Sequence, residues 1–471
     1  MTTCSRLFVP VVAPVVVLAV AGCTVGPKYR RPEVAVPSMY RAADPGHTEA
    51  TSLGDAKWWE VFQDQQLQDL MRTALQQNYD VRIAATRILQ ARAQLGITRA
   101  DQFPTVTGGA SATEQRFASS TLAPGFPGFQ FGLFDLNASA SWVVDFWGQY
   151  RRATESARAS LLASEWGRRS VISTLVSNLA SAYFQLRELD LELEISRRTL
   201  ASRRESLRLT RIQADRGATS LLDVRQSEQL VYTASAQIPD LERRIEQQEN
   251  QISVLLGRNP GPVTRGRALT EQPHAPEIPA GLPSALLARR PDILQAEEQL
   301  IAQNAQIGVA RAAFWPQITL TAQGGTESAA LTGLFSGPSG LWSFAANLTQ
   351  PIFNAGRLRS KVRLAEAQQQ QASLTYQQTI QTAFREVSDA LIGYRKSREV
   401  REEQMLLTEA ARSASQLSDM RYRGGVASYL EVLTNETNYF SAQLNLTQAQ
   451  LNELQTLVQL YNALGGGWQD Q

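Results

Sequence analysis

The chain is nearly devoid of cysteine and histidine. It has two of each in 471 residues, and both cysteines, Cys4 and Cys23, fall at the extreme N-terminus. That leaves almost nothing for a disulfide framework or a metal cage. His47 and His274 lie in proline-rich stretches and read as surface groups. No Ser/His/Asp or Cys/His constellation is present, so a nucleophilic enzyme is not expected. Gly324-Gly325 and Gly465-Gly466-Gly467 are not followed by Lys-Ser/Thr, which removes the phosphate-loop reading. Charged residues make up 19% of the chain, below the usual ~25%. The net charge of +2 gives no electrostatic case for a nucleic-acid partner.

Long apolar runs are scarce too. The one clear run, Leu7 to Val20 after Arg6, is shorter than the ~20 residues of a spanning helix. It suits the core of a signal peptide covering residues 1–22. Val20-Ala21-Gly22-Cys23 matches the bacterial lipobox, whose cysteine takes an S-diacylglycerol and, after cleavage, an N-acyl (palmitoyl) chain. No other cofactor is expected. Several acyl chains give firm anchoring where one is marginal. Thr24 follows, where an Asp would favour retention in the inner membrane. These residues predict an exported lipoprotein of the outer membrane.

What the chain does have is a duplication. Gly96-Ile97-Thr98-Arg99-Ala100 leading to Phe103-Pro104 returns as Gly308-Val309-Ala310-Arg311-Ala312 leading to Trp315-Pro316, the prolines being 212 residues apart (316 − 104). Gly217-Ala218-Thr219-Ser220-Leu221-Leu222-Asp223-Val224 returns as Gly425-Val426-Ala427-Ser428-Tyr429-Leu430-Glu431-Val432 at a shift of 208 (425 − 217). Solenoid repeats run ~20–50 residues, so this is a duplicated half-domain. Residues 23–64, broken by Pro27, Pro32, Pro37 and Pro45, form an extended lipidated segment, with Trp58-Trp59 packing where the fold begins. The repeats occupy 65–270 and 271–471.

Each repeat opens with a helix, at about 80–101 and 291–313, followed by two alternating segments. Phe134, Leu136, Ala138, Ala140 and Trp142 interleave with Asp135, Asn137, Ser139 and Ser141. Val106–Thr113, Ile318–Gln323 and Trp342–Thr349 alternate likewise. Period-two patterning means strands with one dry and one wet face. A soluble sandwich shares this pattern but does not explain four strands isolated among long helices. In the barrel reading, Trp142, Phe146, Trp147, Trp342, Phe344 and Phe353 supply an interfacial girdle, and 114–132 and 326–340 are long loops. Two long helices then follow in each copy, about 149–214 and 218–256, then 356–423 and 426–464, with Pro239 kinking its helix. Gly356 to Arg423 contains no proline, and its narrow stripe of Leu358, Val362, Ala365, Ala372, Tyr376, Ala383, Val387, Ala390 and Tyr394 predicts coiled-coil packing. A solvated filament-like coiled coil is the alternative. Glu297-Glu298 reads as a solvated helix face.

Cys23-Thr24-Val25-Gly26-Pro27-Lys28-Tyr29-Arg30-Arg31-Pro32, Trp58-Trp59 with Phe62, Arg289-Arg290-Pro291-Asp292-Ile293, Tyr422-Arg423-Gly424-Gly425 and Leu464-Gly465-Gly466-Gly467-Trp468 together resemble the outer-membrane efflux lipoproteins. These belong to the outer-membrane factor family, in the nodulation-T-type branch that serves resistance–nodulation–division pumps. The resemblance covers essentially the whole mature chain. It implies an α+β membrane protein in which a homotrimer closes a twelve-stranded transmembrane β-barrel above a periplasmic α-barrel of coiled coils. The implied function is the exit channel of a tripartite efflux system, carrying small amphiphiles or drugs received from an inner-membrane pump and a periplasmic adaptor. The alternatives are an exit duct for type I protein secretion and a non-porous envelope scaffold. Gating residues carry over as Tyr422 and Glu431, with Asp419, Arg421 and Arg423 as ion-pair partners and Asp223, Asp215 and Arg216 as first-copy counterparts. The adaptor-contacting turns carry over as Gly217, Ala218, Thr219 and Ser220, and Gly425, Val426, Ala427 and Ser428. The bland alternative for these charges is helix-end residues that offset dipoles.

Overall fold

A computed structural model describes residues 24–41, 52–118, 127–273 and 280–469. The signal segment, Cys23, His47 and His274 lie outside the described residues. Two compact units are present. The first joins Met1–Glu33, Ile88–Ser164 and Ala296–Tyr376, and the second joins Val34–Arg87, Glu165–Gln295 and Gln377–Gln471.

The elements run α1 (Gln65–Gln77), α2 (Tyr79–Ala100), β1 (Thr105–Phe117), β2 (Phe129–Val144), α3 (Gln149–Asp215), α4 (Leu221–Leu255), α5 (Pro283–Arg289), α6 (Pro291–Ala312), β3 (Gln317–Ser328), β4 (Gly340–Thr349), α7 (Arg357–Arg423) and α8 (Tyr429–Ala463). Apart from α1 and α5, this is one helix–strand–strand–helix–helix series given twice. The paired helices match in length, with 67 residues each in α3 and α7 and 35 each in α4 and α8. A 67-residue helix is ~100 Å long. Pro239 stands inside α4 without ending it.

In the first unit the strands form one antiparallel sheet in the order β1-β2-β3-β4. Its register gathers the dry residues onto one face. Leu348, Ala346, Phe344 and Trp342 pair with Ile318, Leu320, Ala322 and Gly324. Val144, Trp142 and Ala140 follow on β2, then Val106 and Ala110 on β1. Trp342, Phe344 and Val106 of this face are 84%, 66% and 70% exposed. The opposite face carries Thr105, Thr107, Ser139, Ser141, Thr319, Thr321 and Asn347. Among the described residues, β1 and β4 leave their outer edges unpaired. The strands are longer than their apolar runs suggest: β1 reaches Phe117, β2 starts at Phe129 and β3 ends at Ser328, so parts of 114–132 and 326–340 are sheet rather than loop.

The expected girdle is partly tied down. Trp142 Nε1 donates to Gln102 O at 3.0 Å and Trp147 Nε1 to Pro316 O at 2.8 Å. Trp147 also stacks on Trp315, centroids 4.7 Å apart. An N-terminal strap lies on this unit. Val25 N donates to Trp147 O at 3.0 Å, Asn304 Nδ2 donates to Pro27 O at 3.1 Å, and Arg31 grips both oxygens of Glu297 at 2.6 Å each. Tyr29 OH adds a third bond to Glu297 at 3.0 Å. Glu297 is therefore buried and bonded, which corrects its reading as a solvated residue. The sequence pattern missed this because the partners lie more than 260 residues away.

The second unit holds the large core. Trp58, Phe62, Leu67 and Met71 pack with Leu179, Tyr183, Leu186, Ile252 and Tyr461. Asp64, fully buried, is matched by Tyr183 OH, Gln272 Nε2 and the amides of Gln66, Leu67 and Arg267, so this polar centre leaves no lone charge. Among the described residues no helix is long and apolar enough to cross a membrane.

Candidate functional site

The predicted gate residues sit at two helix-to-helix turns, both in the second unit. Each turn ends its helix the same way. Gly217 has φ 75° and Gly425 φ 72°, the left-handed conformation that glycine adopts without penalty. Ala218 N bonds Gln213 O (2.8 Å) and Gly217 N bonds Ala214 O (2.9 Å). Val426 N to Arg421 O (3.1 Å) and Gly425 N to Tyr422 O (2.9 Å) repeat the pair 208 residues on.

Beyond the backbone the turns diverge. In the first, Ser220 and Asp223 form a reciprocal capping box: Ser220 N donates to Asp223 Oδ2 at 3.0 Å and Asp223 N to Ser220 Oγ at 3.3 Å. Thr219 Oγ1 donates to the same carboxylate. That bond, with help from Ser220 and against partial burial, holds the Asp223 carboxyl below its usual pKa. Asp223 is thus committed to starting α4. Asp215 and Arg216 are exposed, and no ion pair forms at either among the described residues.

The second turn has Ala427 where the first has Thr219, and Glu431 where it has Asp223. With the Thr219 hydroxyl replaced by the Ala427 methyl and one more methylene in the acid, Glu431 leaves the cap position and pairs with Arg421 at 3.2 Å. Ser428 makes no side-chain cap. Arg423 takes Asp419 at 2.9 Å, one helical turn away. Tyr422 OH donates to Gln213 Oε1 at 3.2 Å, and its ring packs on Tyr429 with centroids 5.2 Å apart. At the second turn Arg421 pairs with Glu431, Arg423 with Asp419, and Tyr422 contacts Gln213 and Tyr429. The structure does not bring Asp223, Asp215 or Arg216 into a matching set.

Three residues that sequence reasoning missed complete this region. Tyr429, matched in the first copy by Leu221, is buried with Val432 and Leu433 against Leu230 of α4, and Ser227 Oγ donates to its hydroxyl. Burial raises its pKa. Arg203 of α3 is 3% exposed; it donates to Leu230 O at 3.0 Å and lies 5.0 Å from the ring centre of Phe440 on α8. Burial pulls its pKa down, partly offset by Glu436 and Tyr429. Glu436 faces Arg203 across a cavity of about 240 Å3 that is also lined by Tyr439 and Phe440. Its pKa is raised by burial and by Asp419, against Arg203. The signal was available: Glu436 matches Glu228, which Arg211 and Arg225 neutralise at 2.7 Å each, whereas the position matching Arg211 is Asp419.

Each tip therefore hangs on contacts of different strength: the first turn locked into its own helix, the second held through exposed pairs. Such exposed pairs contribute ~0–1 kcal/mol each.

The model for outer membrane efflux proteins matches residues 70–258 and again 282–466. The solvent efflux pump outer membrane protein SrpC of Pseudomonas putida is 39% identical over 458 residues, covering 96% of this chain and 97% of that one. The cation efflux system protein CusC of Escherichia coli O6:H1 is 34% identical over 459 residues, covering 96% and 98%. The open state of the MtrE outer membrane channel of Neisseria gonorrhoeae superposes with a TM-score of 0.85 at 31% identity, covering 95% of this chain and 99% of that one. With both repeats matched and the fold shared end to end, the chain belongs to the outer membrane efflux protein family.

Proposed function

We propose that three copies of this chain close a duct through the outer membrane, the exit channel of an efflux system for small amphiphilic compounds. The observation that carries this reading is the sheet: four strands, one face apolar, the other lined with hydroxyls and amides, and two unpaired edges. Open edges are not tolerated in lipid, where unpaired backbone groups cost several kcal/mol each. Cyclic association supplies the missing partners most simply, and three copies give twelve strands. The eleven residues from Phe134 to Val144 match the ~9–11 that a tilted strand needs to cross.

Cys23, acylated on sulfur and nitrogen, tethers the strap that begins at Thr24. The turns Gly217–Ser220 and Gly425–Ser428 meet a periplasmic adaptor, through which an inner-membrane resistance–nodulation–division pump delivers cargo. The duct works without covalent chemistry. Its specific task is to stay shut at the second turn until the adaptor engages, through Tyr422, Arg421 and Glu431 with the Arg423–Asp419 pair beside them.

Purified protein in a planar bilayer tests the reading. Stepwise ionic conductance that rises in Arg421→Ala supports a gated duct. No conductance in either protein would leave a coiled-coil scaffold, and passage of unfolded polypeptide rather than small solutes would mean protein secretion. Mass spectrometry of the N-terminal peptide checks the acylation of Cys23.

A further inference from the structure

Strand alternation fixes which way every side chain of the sheet faces, and along β2 the chemistry of the two faces changes places, while on β1 the apolar face turns polar at Glu114 and Arg116. Between Phe134 and Val144 the even-numbered residues of β2 are apolar or small and the odd-numbered ones to Ser141 are polar, and the register with β1 runs without a break from Thr105↔Ser141 to Phe117↔Phe129. Beyond Phe134 the order reverses. The face that carried Phe134, Leu136 and Ala112 now carries Gly132, Gln130, Glu114 and Arg116, with Gln130 hydrogen-bonded to Glu114. On β2 the face that carried Asp135, Asn137 and Ser139 now carries Leu133, Phe131 and Phe129; on β1 the same face keeps Thr113 and Gln115 and ends at Phe117.

The three rings form a cluster on that second face. Phe117 stacks on Phe131 with centroids 6.0 Å apart and planes 5° apart, and it lies 5.2 Å from Phe129. Phe129 and Phe131 remain 52% and 38% exposed, so the fold has not buried them in a core.

We infer that Phe117, Phe129 and Phe131 form an apolar collar on the inner wall of the duct, at its outer end, past the lipid-covered band. The inference rests on the duct reading, because that reading makes the hydroxyl-lined face the inner one. A wall that turns polar outward and apolar inward matches a segment with water outside rather than lipid. The inward rings have no lipid to meet, and three copies would present nine of them to the lumen. Apolar constrictions hinder hydrated ions by dewetting while leaving apolar and aromatic solutes a favourable surface. The collar is thus a specificity element: it favours amphiphilic cargo and resists free passage of salt through an open gate.

Single cysteines at adjacent positions test the direction of these side chains. In the Arg421→Ala background in a bilayer, a charged methanethiosulfonate reagent changes the current through Phe129→Cys and Phe131→Cys, and leaves Gln130→Cys unchanged. The pair Phe129→Ser/Phe131→Ser raises ion conductance about twofold or more as the collar is wetted, and Gln130→Ser, on the opposite face, stays close to the background value. Labelling that alters only Gln130→Cys, or a serine pair with unchanged conductance, overturns the collar while the duct stands. If the Arg421→Ala protein itself passes no current, the duct reading fails first. Recovery of each variant at the background's apparent size and sheet content excludes misfolding as the cause.

Discussion

The two halves of the long-helix bundle share a backbone and differ in how their side chains are used. α3–α4 and α7–α8 match in length and end in the same glycine turn. In the first coil, charges are settled locally: Asp223 caps α4, and Glu228 takes both Arg211 and Arg225. In the second, the matching charges are left to find partners elsewhere. Glu431 reaches back to Arg421, and Glu436 faces Arg203 of the first coil across a cavity. Duplication supplied two equal arms. A few substitutions, Thr219 against Ala427, Asp223 against Glu431, Arg211 against Asp419, leave the first turn with a local capping box and the second with exposed ion pairs.

The largest test of that contrast concerns Glu188, buried on α3 where the second coil has the exposed Lys396. Burial first, then the adjacent Glu192, pushes the Glu188 carboxyl up to about 8. The folded chain therefore holds a proton there that the unfolded chain has already released, so stability falls as pH rises from the ordinary carboxylate range to about 8. Glu188→Gln removes that fall. In thermal melts at pH 9 the variant gains on the order of 3 kcal/mol relative to its behaviour at pH 5. A Lys396→Gln variant shows no such pH dependence. Equal behaviour of the two variants would end the claim that the coils are differently built.

Next in size is the gate itself. Arg421→Ala removes one exposed pair per chain, about 0.5 kcal/mol, which over the three chains of the proposed duct would shift the open fraction by on the order of tenfold. Single-channel recordings read this directly, and an unchanged open fraction would count against Glu431–Arg421 as a latch. Asp223→Ala inverts the pattern: it costs about 1 kcal/mol of stability through the lost cap and leaves conductance near the wild-type value. Because the folded-state pKa of Asp223 is depressed, its contribution is present above the ordinary carboxylate range and lost as pH falls through the folded value. Chemical denaturation at pH 7 and pH 3 follows it. The smallest effect is at Tyr429→Phe, which strips the acceptor from Ser227 and costs about 0.5–1.5 kcal/mol; thermal stability of the purified protein measures it.

Much of this architecture could be read before any coordinates. The shift of 208 located both turns, the absence of proline marked α7, and strict alternation found all four strands. Strand ends were misjudged because Phe129 and Phe131 alternate in the opposite phase to Phe134 and Leu136, so a search for one continuous dry face stops short. At the turns, the expected partners Arg421 and Glu431 do pair, and Arg423 pairs with Asp419 rather than with Glu431. Sequence spacing put Asp223 and Glu431 at matching places, while one methylene and one missing hydroxyl sent them to different partners.

The amino-acid pattern alone determined the element types, the duplication and the two-faced sheet, since these depend on local periodicity along the chain. Only the tertiary structure decided that Glu297 anchors the strap, that Arg203 is buried against Phe440, and that the aromatic rings of β1 and β2 share the hydroxyl-lined face. The first two depend on groups far apart in sequence and the third on the register of β1 against β2, and distance, burial and register exist only once the chain has folded.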